Sequence, residues 1–261
     1  AYTMEKTSRG ADLNLQVLGE DHKLYQQQIS LILQAAGHPA PETVYYSYIL
    51  LRDGKMSTRA GKVVLLSEFL DQAEALALDR VKEQCKELSE EEQAAISRKV
   101  AVAAIRFAVL RVAANKNVTF DMETSLSFSG DTGPYVQYCC ARIHSILRKH
   151  AASTPGATDN VPVVRVTDTL PTTTNAEWAL LLKLAEFPAL IDSAAQQRTV
   201  APVANYLLDL AHAFTSFYHD CPVLTAESEE LKSARLHLCR ATLQVLHNAL
   251  HLLGIEAPER M

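Results

Sequence analysis

Apolar residues recur along this chain at two spacings. The run LQVL at 15–18, closed by Gly19, predicts a short buried strand, and residues 23–36 carry apolar positions at helical spacing until Gly37 stops them. The run VYYSYILL at 44–51 is β-branched and aromatic, which predicts a second strand. Strand, helix and strand in about 35 residues suit a parallel crossover, the unit of a nucleotide-binding sheet. Two strands are only a remnant of such a sheet.

The pattern then changes. Residues 52–62 are polar, bracketed by Gly54 and Gly61, and lack periodicity, which predicts a loop at the C-terminal edge of the second strand. Open α/β sheets bind ligands at that edge. Ser67 is placed to cap a helix reaching about residue 87, and Ser89 with Glu92 forms a capping-box pattern that opens a helix to about residue 115. After an irregular stretch at 116–133, Pro134 is the expected first helical position of a segment ending near His150. Residues 151–175, rich in threonine and holding three prolines, predict a surface loop with one strand at 161–166. Helical segments follow at 176–197, 202–219 and 228–253. The last carries Leu231, Leu238, Val245 and Leu252 at intervals of seven, with Gly254 just past its end. That stripe lasts only about three heptads, so it reads as bundle core rather than a coiled-coil seam. With the Pro134 helix, these segments make an α-bundle of about 130 residues.

Composition narrows the class. A chain of 261 residues holds one large or two modest domains, and two are expected. Few glycines and long stretches of Ala, Leu, Glu, Gln and Arg favour helix, so the fold class is mainly α. The net charge of −5 gives no global basic excess, so any RNA contact must be a local patch. Five cysteines without a CxxC pair fit a reducing compartment. No apolar run approaches a membrane span and no signal-peptide pattern opens the chain, which implies no membrane and a cytoplasmic location. His247 and His251 stand at i, i+4 without a third ligand, so no metal site is expected. The chain opens on Ala1 rather than Met, which suggests a piece of a longer protein.

The segment Gly54-Lys55-Met56-Ser57-Thr58-Arg59-Ala60-Gly61-Lys62 concentrates cations between glycines after a strand. Such a loop can close over a polyphosphate and neutralise charge on leaving pyrophosphate, at about 3 kcal/mol per well-placed donor. A solvated basic hairpin fits the charge equally well, and the spacing excludes a Walker A loop. The wording Lys-Met-Ser resembles the KMSKS loop of class I aminoacyl-tRNA synthetases, and the continuation KMSTRAGKVVLLSEFLDQA resembles its arginyl-tRNA synthetase form. Residues 8–12 (SRGAD), 17–24 (VLGEDHKL), 128–138 (FSGDTGPYVQY) and 254–261 (GIEAPERM) resemble that family in the expected order. The resemblance spans essentially the whole chain.

It implies the C-terminal portion of an arginine–tRNA ligase. Residues 1–130 would be the end of a Rossmann-like α/β catalytic domain with connecting helices, and 131–261 an all-α anticodon-binding bundle. It further implies tRNA-Arg, arginine and ATP as partners, with Mg²⁺, and a monomer is expected. Lys55 would assist ATP activation, with Met56 and Ser57 shaping the loop. Thr58 stands where the signature has its second lysine, which leaves Arg59 or Lys62 to supply that cation. Asp21, His22 and Gln26 follow the first strand where polar groups would meet adenosine or a guanidinium.

On the Pro134 helix, Tyr135, Tyr138 and Arg142 share a face suited to unstacked anticodon bases, although core packing is the commoner fate of such residues. The family resemblance favours the RNA role for Tyr135, Tyr138 and terminal Met261, with Gln137 as a further candidate. The His-x-Gly-His signature of class I synthetases is absent from these residues, so the chain alone is not expected to activate arginine. A binding module derived from a synthetase is the rival reading.

Overall fold

In a computed structural model, residues 2–51, 65–153 and 174–261 are described. Two small parallel sheets sit at one end of a helical body. Strand β1 (Leu15–Gly19) runs through a 3₁₀ turn at Glu20–His22 into helix α2 (Lys23–Ala35), and the chain returns as β2 (Glu42–Tyr46), parallel to β1 with Leu15 opposite Glu42. A short helix α1 (Tyr2–Thr7) precedes this unit. The expected crossover is therefore present.

The expected single strand at 44–51 divides. Its second part, β3 (Ile49–Leu51), pairs in parallel with β4 (Val118–Phe120), in a stretch whose sequence predicts only irregular structure. The break is caused by contacts with a distant segment. The side-chain Oδ1 of Asn117 accepts from the Tyr48 N–H at 3.1 Å and from the Ser47 hydroxyl at 2.5 Å, while the Ser47 N–H donates to the Ala114 backbone carbonyl at 2.8 Å. The hydrogen bonds of the strand thus pass from β1 to the segment before β4.

Helix α3 (Leu66–Gln84) starts from Leu65, so Ser67 lies inside its first turn and does not cap it. Helix α4 (Glu90–Leu110) opens with the expected Ser89–Glu92 capping box. Ala73, Ala77 and Val81 of α3 pack against Val100, Ala101 and Ala104 of α4 with almost no exposure. Ala103 and Phe107, on another face of α4, enter the core of the following bundle. Helix α4 is therefore a shared spine.

A one-turn helix α5 (Met122–Ser125) leads to the bundle proper. It comprises α6 (Gly133–Ser153), α7 (Asn175–Gln196), α8 (Ala201–Asp220) and α9 (Glu229–Leu252). Phe214, Phe217, Leu207, Leu210 and Leu246 fill its core, and all five cysteines are buried and free. Gly133 is where α6 crosses α4. A Cβ there would lie 2.6 Å from the Ala103 carbonyl oxygen and 2.8 Å from the Phe107 Cβ, so only glycine permits this approach.

The heptad stripe on α9 is core only at its start. Leu231 and Leu238 are buried and Val245 partly so, but Leu252 is 54% exposed. A straight helix drifts about 20° per heptad against a seven-residue repeat, which turns the last position outward. The expected strand at 161–166 lies outside the described residues.

Candidate nucleic-acid interface

Helix α6 carries the residues expected to meet RNA, and the fold gives them different environments. Pro134 lies at the start of the helix, buried with Gly133, as its preset φ and missing N–H allow. Tyr138 is half-buried on the surface of the helix. The Arg142 guanidinium lies 4.6 Å from the centroid of the Tyr138 ring and donates to its hydroxyl at 2.8 Å. The same guanidinium is also 4.8 Å from the ring of Tyr218, from α8. Two aromatic rings and a cation thus form one partly exposed platform. Tyr218 was not among the expected residues. It lies eighty positions from Tyr138, and only the packing of α6 on α8 brings the two rings to one cation.

Met261 also reaches this region. It packs against the α3–α4 core, and with Phe128, Tyr138, Arg80 and Cys85 it lines a cavity of about 520 Å³. Tyr138 of α6 therefore meets Arg142 on its own helix and Met261 from the end of the chain.

Tyr135 is turned instead toward α8. Its hydroxyl is 2.8 Å from Thr215 Oγ1 and 3.3 Å from His212 Nδ1, and its ring is tilted against the His212 ring at 5.2 Å. Burial pushes its hydroxyl pKa up, so it stays protonated. The same imidazole reaches Asp131 at 3.3 Å, and Arg111 also donates to that carboxylate. The His212 hydrogen bond first and Arg111 second hold Asp131 below the usual carboxylate range.

Gln137 corrects the expectation of a direct RNA contact. It is fully buried, and its Nε2 donates to the carbonyls of Lys99 at 3.2 Å and Glu256 at 2.6 Å. A side chain enclosed in this way has no face to offer a base.

On the sheet side, Asp21 and His22 are exposed at the C-terminal edge of β1, 3.8 Å apart. Asp21 Oδ1 sits 2.5 Å from where a Gly19 Cβ would be, so glycine lets that carboxylate fold back over the strand end. Gln26 is buried on α2, and its Nε2 has no hydrogen-bond partner among the described residues. The loop residues Lys55, Met56, Ser57, Thr58, Arg59 and Lys62 lie outside the described residues, between β3 and α3.

A larger cleft of about 860 Å³ runs along α4 and is lined by Arg80, Arg111, Asp121, Glu123 and Asp131. Arg80 donates to the Glu123 carbonyl and Arg111 pairs with Asp131, so both guanidinia are engaged and this cleft offers no cationic surface. Among the described residues no cluster of three or more His, Cys, Asp and Glu could hold a metal ion. No helix among them is long and apolar enough to cross a membrane.

Comparison with known proteins gives a consistent picture. The family described as "tRNA synthetases class I (R), catalytic domain" matches residues 1–122, and the "DALR anticodon binding domain" matches 136–261. An arginine–tRNA ligase of Halorubrum lacusprofundi is 38% identical over 96% of this chain and 44% of its own length. One from Methanothrix thermoacetophila is 39% identical over 95% and 42%. The solved arginyl-tRNA synthetase of Thermus thermophilus superposes with a TM-score of 0.81 at 36% identity, covering 96% of this chain and 41% of that one. The chain thus spans less than half the length of each of these three relatives. A chain whose two halves match, in order, the arginine-class catalytic domain and the anticodon-binding domain, and whose fold follows that of a solved arginyl enzyme, belongs to the arginyl-tRNA synthetase family.

Proposed function

We propose that this chain is the phosphate-loop and anticodon-binding part of an arginine–tRNA ligase. Such an enzyme forms arginyl-adenylate from ATP and arginine and transfers the arginyl group to tRNA-Arg. The observation that carries the reading is the platform of Tyr138, Arg142 and Tyr218 beside Met261. Rings and a guanidinium that remain partly open suit unstacked bases, and each stacking contact is worth roughly 1 to 3 kcal/mol.

Lys55 is the cation we assign to ATP activation, with Arg59 or Lys62 replacing the lysine that Thr58 lacks. Asp21 and His22 are the polar groups we assign to the substrate side, at the sheet edge where open α/β folds bind ligands. Gln26, buried behind them, would position rather than touch substrate. Mg²⁺ commonly binds through phosphate oxygens and water with one or two carboxylates, so a protein-only cage is not required for it. When bound, it would screen the phosphates during adenylate formation. We place this activity in the cytoplasm and expect a monomer. The chain holds Lys55 but no His-x-Gly-His sequence, so it is expected to bind tRNA without charging it.

The test has two parts. Purified chain should bind a tRNA-Arg transcript, and Tyr138→Ala should weaken that binding about fivefold or more. In the complete gene product, Lys55→Ala should lower ATP-dependent arginylation well beyond threefold. A complete product that never arginylates tRNA would leave only the reading of a synthetase-derived binding module.

A further inference from the structure

The last eight residues form no helix or strand, yet donors from α4 and α6 hold their backbone along its length. Arg106 Nη1 donates to the Gly254 carbonyl at 2.9 Å and reaches the Leu253 carbonyl at 3.4 Å. Gln137 Nε2 donates to the Glu256 carbonyl, and Lys99 pairs with the Glu256 carboxylate at 3.1 Å. Arg148 Nη1 donates to the Glu259 carbonyl at 3.0 Å. Irregular backbone has no ladder to satisfy its carbonyls, so each of these donors fixes one step of the path.

Two details show that the path is specified. Gly254 has φ +65, and a Cβ there would lie 1.9 Å from Arg106 Nη1, so glycine both turns the chain and admits the guanidinium. Gln137 is fully buried, and its Oε1 has no partner among the described residues while its Nε2 has two. The amide is engaged through its donors alone. Between these anchors, Ile255 and Pro258 are buried, and the path ends with Met261 packed against the α3–α4 core, lining one cavity with Phe128 and Tyr138.

We propose that Gln137 is a positioning residue for RNA binding: from inside the protein it ties the C-terminal tail to α4 and α6, and so stations Met261 beside Tyr138. This rests on the reading of Tyr138 and Met261 as RNA contacts. Gln137 acts only through the tail, which separates it from both a direct contact and a general packing residue.

The four methionines make the ε-methyl spectrum of the whole chain sparse, and Met261→Ala identifies the terminal signal. In Gln137→Leu, which keeps the volume but removes both donors, the Met261 methyl should move to the position of a disordered methionine while that of Met122 stays in place. Affinity for a tRNA-Arg transcript should fall about fivefold. Met261→Ala should also weaken binding, and the double variant should be no weaker than the poorer single one, since both act through one contact. Gly254→Ala evicts Arg106 without changing charge. It should shift the same methyl, and it serves if Gln137→Leu does not fold. An unmoved Met261 methyl in the variant that folds overturns the proposal, as does full additivity of Gln137→Leu with Met261→Ala. If Met261→Ala binds tRNA like the parent while Tyr138→Ala does not, the RNA role of the tail is overturned and the platform reading stands. If neither variant changes binding, the functional reading itself has failed.

Discussion

Glu177 and Arg235 meet at 2.7 Å in the bundle interior, with side chains 1% and 6% exposed. Glu177 also closes the capping box of α7 by accepting from the Thr174 N–H, and Arg235 also donates to the Pro222 carbonyl. The pair thus joins the start of α7 to α9 and to the α8–α9 turn. Removing one partner strands a buried charge, which commonly costs 3 to 5 kcal/mol. Arg235→Met is therefore expected to lower stability to urea by about that amount, and Glu177→Leu with Arg235→Met together to recover most of it. A single variant as stable as the parent would mean that water reaches the pair.

His144 of α6 and His247 of α9 face each other with ring centroids 5.6 Å apart, and both Nε2 atoms are buried without a partner among the described residues. Burial lowers both pKa values. For His144 the neighbouring charges of His247 and Arg148 add to this, and for both rings Glu259 opposes it. A histidine with a lowered folded pKa binds more protons when unfolded. Its contribution is thus complete above the unfolded value of about 6.5 and is lost as pH falls through the folded value. Unfolding measured from pH 7.5 to 5 should show falling stability, and His247→Gln should flatten that slope. An unchanged slope would assign the acid sensitivity to other groups.

Much of the fold is legible in sequence because its signals are local. The Ser89–Glu92 box, the strand–helix–strand unit and the main bundle helices rest on residues within a few positions of one another. The same pattern at Thr174–Glu177 passes unread, although Thr-x-x-Glu before an apolar run is the same signal. Contacts across long separations leave no such mark. The division of β2 from β3 depends on Asn117, seventy positions away, and the Tyr138–Arg142–Tyr218 stack depends on helix packing. Gln137 shows the reverse limit. The family resemblance, not helical spacing, made it an RNA candidate, and its immersion between α4 and the tail depends on where residues 254–261 return.

Gly133 tests how closely α6 must approach α4. The atom that a new Cβ would meet at 2.6 Å is a backbone oxygen, which cannot swing aside as a side chain can. Gly133→Ala is expected to cost roughly 1 to 3 kcal/mol through overpacking, read as a lowered unfolding midpoint. The loss should exceed that of Gly254→Ala in spite of the left-handed φ at Gly254, because there the obstructing atom is the mobile end of Arg106. The opposite order would show that helix α6 can shift at its first turn.

The three tyrosines around α6 should separate by readout. Tyr135 spends its hydroxyl on Thr215 and His212, so Tyr135→Phe should lower stability by about 1 kcal/mol and leave tRNA affinity unchanged. Tyr218 holds Arg142 through its ring face, so Tyr218→Phe should preserve binding while Tyr218→Ala releases the guanidinium and weakens it. Tyr138→Ala removes both the ring that Arg142 covers and the hydroxyl that it donates to, and it should weaken binding most. Filter binding of one tRNA-Arg transcript, with thermal melting of each variant, measures all of these. A Tyr138→Ala protein that melts far below the parent but binds RNA as tightly would identify the ring as core and remove the platform.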